Sequence, residues 1–177
     1  SVLGMYPTEE RWKYSSILFL ASGIISAGGF WLRMLFIKEE YVLSPDVTFA
    51  SMAMESWYQI RSVMTEELLC RGTLLYLLIQ KIGQQKAILI TSIFFAGLHG
   101  LNVGFWENWI SALLTLTFTF GMGLLLAYAF ARTRCLLYPF AIHFGWNLVQ
   151  NYIFPDTANG HHLFSLLTPP PEVTISY

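Results

Sequence analysis

Six residues of the 177-residue chain combine chemistry-bearing side chains with helical spacing: Glu66, Glu67 and Arg71 in TEELLCRG, His99 in FFAGLHG, and His143 and Asn147 in IHFGWNLVQN. Glu67 and Arg71 stand four apart, on one helix face and in the order that favours an ion pair. Glu66 is rotated from Glu67 by about 100°, so a carboxylate neutralised by Arg71 would adjoin one that is free to act as a base. His143 and Asn147 are also four apart and present two hydrogen-bonding groups in one direction. A carboxylate and an imidazole can hold and deprotonate a water, while His and Asn donors can stabilise an oxyanion. That inventory fits attack of water on a carbonyl.

The elements that must position these groups are membrane-spanning helices. The chain is 55% apolar and only 12% charged, against about 45–50% and about 25% in soluble domains. Aromatic residues reach 16%, which suits helices anchored at lipid interfaces. A net charge of −1 gives no reason to expect nucleic acid as a partner. Cys70 and Cys135 lie in apolar stretches and read as buried free thiols. A spanning helix needs about 20 mostly apolar residues, and five segments are expected to span: 14–37, 63–80, 87–103, 110–130 and 136–154. The stretch 47–80 is too long for one crossing, so its first half, with Glu55, Trp57, Gln59 and Arg61, is expected to be interfacial. The fold class is therefore all-α: a polytopic transmembrane bundle forming one domain over residues 1–177, read as a fragment of a longer protein.

Basic residues alternate between the loops. Arg11, Lys13, Lys81, Lys86, Arg132 and Arg134 fall on one side, whereas Lys38 shares the other with Glu39, Glu40, Asp46, Glu107 and Asp156. The positive-inside rule then places the N-terminus in the cytoplasm of an integral, multi-pass membrane protein.

An ionisable group at membrane depth is costly and by default functional. Counted from the basic loops at 1.5 Å per residue, Glu66, His99 and Asn147 lie at depths of roughly 20–22 Å and His143 at roughly 14 Å. One shared layer of polar groups on three helices is therefore expected. Glu66, His99 and His143 also make a zinc or other divalent-metal set conceivable as an alternative, although no HExxH pattern is present. Gly121 and Gly123 are expected to permit close helix contact, and His161 and His162 of the tail to have no role in the site.

These residues resemble the motifs of the CPBP family of intramembrane proteases, the CAAX prenyl protease and bacteriocin-processing group also called Abi. The family pattern EExxxR, FxxxH and HxxxN on successive helices is matched by Glu66-Glu67-x-x-x-Arg71, Phe95-x-x-x-His99 and His143-x-x-x-Asn147, within residues 65–150. The resemblance implies a membrane-embedded endopeptidase acting on a peptide or lipidated protein. In it Glu66 would activate water, His99 would assist, His143 and Asn147 would form the oxyanion site, and Glu67 and Arg71 would brace the cavity. A metal-free glutamate mechanism needs no cofactor; the family's metalloprotease label keeps a divalent metal as the other account. The alternative from another class is a non-catalytic immunity protein or peptide-binding scaffold using the same cavity. The oligomeric state is left open.

Overall fold

The structure is a computed structural model that describes residues 3–6, 8–45, 47–101, 105–154 and 162–167. Asp46, Asp156 and His161, named above, lie outside the described residues, as does the end of the segment 87–103.

Helix α1 spans Glu9–Phe36; Thr8 caps it by accepting from the Arg11 amide, and Glu9, Glu10 and Arg33 complement its two ends. A short strand β1, Tyr41–Leu43, follows. Helix α2, Phe49–Glu67, opens on a capping box in which the Thr48 and Ser51 side chains each accept from the other's backbone amide. It runs without a break into a π-helical segment, Leu68–Leu75, and then α3, Tyr76–Ile82. Gly83, at φ 82°, turns the chain into α4, Gln84–His99; the positive φ is one that glycine adopts without strain. Asn108 caps α5, Trp109–Thr133, and Arg134 in the left-handed region ends it. Helix α6, Leu137–Leu148, passes into a second π-helical segment, Val149–Ile153, and the described chain closes with β2, Phe164–Leu166.

The five-span expectation is met in part. Helices α1 and α5 are long and apolar enough to cross a membrane, with mean hydropathies of 1.6 and 1.9. Helix α4 has 16 residues and α6 has 12, shorter than the roughly 20 that a crossing needs. The rod from α2 to α3 has the length but carries Glu66, Glu67 and Arg71 within it.

Helix α1 packs along α6, α4 along α5, and α2 against α6. Small residues set two of these distances. A Cβ on Gly145 would fall 2.3 Å from Ser22 Oγ and 2.4 Å from the Phe19 carbonyl oxygen, so the backbones of α6 and α1 meet there. A Cβ on Gly123 would lie 3.1 Å from Ser92 Cα, the close contact expected of it, whereas Gly121 has nothing within 4 Å and packs against no other helix. Cys70 and Cys135 are buried free thiols.

Strands β1 and β2 pair antiparallel, with Tyr41 opposite Leu166 and Leu43 opposite Phe164. They clip the connection after α1 to the tail. Arg33 reaches Glu39 at 2.7 Å, and Tyr41 donates to the same carboxylate at 3.0 Å. Phe30 and Phe164 each stack on Phe154, and Tyr41 meets Phe30 and Phe154 edge-on.

Candidate active site

Glu66 and Glu67 are the last residues of α2, and the π-helical segment begins immediately after them. The second π-helical segment begins two residues after Asn147. Such widened turns are rare and concentrate at functional sites, and here both helices that bring polar groups together change winding next to those groups.

The two adjacent carboxylates have different surroundings. Glu67 is completely buried, and its Oε1 accepts from Arg71 Nη1 and from His143 Nδ1, each at 2.8 Å. Glu66 keeps about a third of its side chain exposed; Ser62 Oγ donates to its Oε1 at 3.3 Å, and its Oε2 lies 3.8 Å from His143 Nε2. With Nδ1–H donated to Glu67, Nε2 of a neutral His143 is an acceptor, and Asn147 Nδ2 donates to it at 3.2 Å. His143 is thus oriented at both ring nitrogens.

Helix α4 joins through aromatic contacts. The Phe95 ring lies under the Arg71 guanidinium, 4.3 Å from its Cζ, a cation–π geometry that gains strength where both groups are desolvated. The same ring meets His143 and His99 edge-on, at centroid distances of 5.6 and 5.0 Å. His99 Nδ1 donates to the Phe95 carbonyl at 2.9 Å, which leaves Nε2 as its unprotonated nitrogen. The structure therefore brings Glu66, Glu67, Arg71, His143 and Asn147 into one hydrogen-bonded or near-contact group, and His99 borders it across Phe95.

The metal set conceivable from sequence is not assembled. Among the described residues no three His, Cys, Asp or Glu side chains stand together as ligands. Both nitrogens of His143 are engaged and Nδ1 of His99 is committed to a main-chain carbonyl.

Ser62 had no signal of its own in the sequence; its position four residues before Glu66 acquires meaning only once Glu66 is located. Gln59 is buried and accepts from Asn151 Nδ2 at 3.5 Å. Its polar group faces the protein.

All six candidate residues fall inside a match to one family model, Type II CAAX prenyl endopeptidase Rce1-like, which covers residues 47–149. The chain belongs to this family. No curated protein and no solved structure shows a significant match to it. Membership makes the protein a membrane-embedded protease of the CAAX-protease type in general, in agreement with the resemblance carried by the three motifs, and the two apolar helices fit that setting.

Proposed function

We propose that the protein is a glutamate-dependent intramembrane endopeptidase in which Glu66 activates the attacking water. The observation that carries this reading is the division between the carboxylates: Glu67 Oε1 accepts from both Arg71 and His143, while Glu66 Oε2 faces His143 Nε2 across 3.8 Å. One water about 2.8 Å from each atom bridges that gap. Glu66 takes a proton from this water as the oxygen attacks the peptide carbonyl. It then returns the proton to the departing amine, so that one water is consumed and two termini are formed.

Negative charge develops on the carbonyl oxygen. Asn147 Nδ2 donates to it, and His143 does so when protonated at Nε2, with the buried Glu67 carboxylate at Nδ1 balancing the charge. His99 assists through its free Nε2, and Arg71 holds Glu67 in place. This mechanism calls on no cofactor. In the membrane the chain is multi-pass with the N-terminus in the cytoplasm, and lipid and a peptide or lipidated protein substrate are the partners.

The test compares newly formed peptide termini in membranes of cells expressing the wild type or Glu66→Gln at equal level. Termini found only with the wild type support proteolysis. Equal termini together with preserved cellular function in the mutant would instead favour a binding scaffold.

A further inference from the structure

Each turnover at Glu66 removes one water, and the surrounding lipid cannot replace it. The structure offers a polar route for that replacement. Glu55, Gln59, Ser62 and Glu66 follow one another on α2 at spacings of four, three and four, which confines them to a stripe about 60° wide. The opposite face of the same helix exposes Trp57 and Arg61.

A second polar stripe faces it from α6 and the π-helical segment beyond. His143 and Asn147 lie opposite Glu66, and Asn151 lies opposite Gln59. Ser62 and Glu66 are half-buried, so this end of the stripe is accessible. Gln59 is the exception at 6% exposure. Its carbonyl accepts only the 3.5 Å bond from Asn151, and its own amide donor has no partner among the described residues. At the same end the Tyr152 hydroxyl is buried without a partner. Polar groups in an interior are normally satisfied by protein or by water, and polar stripes at membrane depth line aqueous pathways.

We propose that these facing stripes form the path by which water reaches Glu66 from the membrane surface at the start of α2, with the Gln59–Asn151 pair as its constriction. A bond at the limit of hydrogen-bonding distance is weak, and it opens wide enough for water and for small polar solutes to pass. The inference rests on Glu66 as the water-activating base, but the path itself is measurable without any cleavage.

The experiment uses the full chain in proteoliposomes and a small, positively charged, membrane-impermeant methanethiosulfonate reagent. The buried native Cys70 and Cys135 provide the unlabelled background. Ser62→Cys is expected to label with the membrane intact, whereas Leu77→Cys on the exposed apolar face of α3 is not. Adding Asn151→Trp to Ser62→Cys is expected to slow labelling at least tenfold, and adding Glu66→Gln to leave it unchanged. Gln59→Cys serves as the second reporter if Ser62→Cys fails to fold. Labelling that requires detergent, or labelling that Asn151→Trp does not slow, overturns the path. If labelling follows the expected pattern while Glu66→Gln still produces the wild-type termini, the path stands and the catalytic assignment falls.

Discussion

His143 binds Glu67 and only approaches Glu66: its Nδ1 lies 2.8 Å from Glu67 Oε1, while its Nε2 lies 3.8 Å from Glu66 Oε2. The two carboxylates are neighbours in sequence, yet one is locked into a buried ion cluster and the other is held by a single serine hydroxyl. Their mutants should separate accordingly. Glu66→Gln is expected to lower kcat by about 10³-fold or more, at the upper end of acid–base effects, with the thermal midpoint of the detergent-solubilised protein unchanged. Glu67→Gln should lower that midpoint, because it leaves the Arg71 charge buried without its counter-ion. Equal thermal loss in both variants would refute the division of roles.

The buried cluster is built for geometry at a cost in stability. Glu67 Oε2 and Arg71 Nε and Nη2 are buried without hydrogen-bond partners, and half-satisfied ionic networks stabilise less than apolar packing of the same volume. Removing one member should therefore be worse than removing all of them. Arg71→Met alone is expected to cost about 3–5 kcal/mol, whereas the triple variant Glu67→Leu/Arg71→Met/His143→Leu recovers most of that and has no activity. Unfolding followed by thermal scanning decides it; a triple variant less stable than Arg71→Met would contradict the argument.

The six candidate residues were legible in the sequence because membrane depth makes a polar side chain conspicuous, and helical spacing separates Glu66 from Glu67. Their convergence through the Glu67–His143 bond was legible only as matched depth. Other features left no trace in pattern. The π-helical segments change the winding of eight and five residues, too few to shift an apolar periodicity. The β1–β2 clip joins segments more than 120 residues apart, which no local signal encodes. Length alone assigns Gln59 to the interfacial half of its stretch; its inward direction is fixed by Asn151. Gly121 and Gly123 carry the same residue type, and only the position of α4 distinguishes them.

Asn147 is the residue whose chemistry can be removed with the least change of shape. Asn147→Asp keeps the volume but replaces both Nδ2 donors by an acceptor, and faces His143 Nε2 with a carboxylate. Loss of one oxyanion donor is expected to lower kcat by about 10²–10³-fold with KM little changed. Asn147→Ala should show a loss of similar size without the added charge. A fall confined to KM in both would show that Asn147 binds substrate and leaves the transition state untouched.

Gly145 connects packing to the site, because it stands two residues from His143 at the tightest approach of α6 to α1. A Cβ there would overlap both Ser22 Oγ and the Phe19 carbonyl oxygen, and the second of these is backbone. Gly145→Ala must therefore push the helices apart, which moves the ring of His143 relative to Glu66. Thermal stability and kcat are both expected to fall, by an amount typical of overpacking, about 1–3 kcal/mol, for the former. Clearing only the side chain, in Gly145→Ala/Ser22→Gly, should rescue neither, since the Phe19 carbonyl stays in place. Gly121→Ala is the control: it meets nothing within 4 Å and gains about 1 kcal/mol of helix propensity, so it should be neutral or stabilising with full activity. Rescue by Ser22→Gly would show instead that the serine, and not the contact between backbones, sets the distance from α1 to the site.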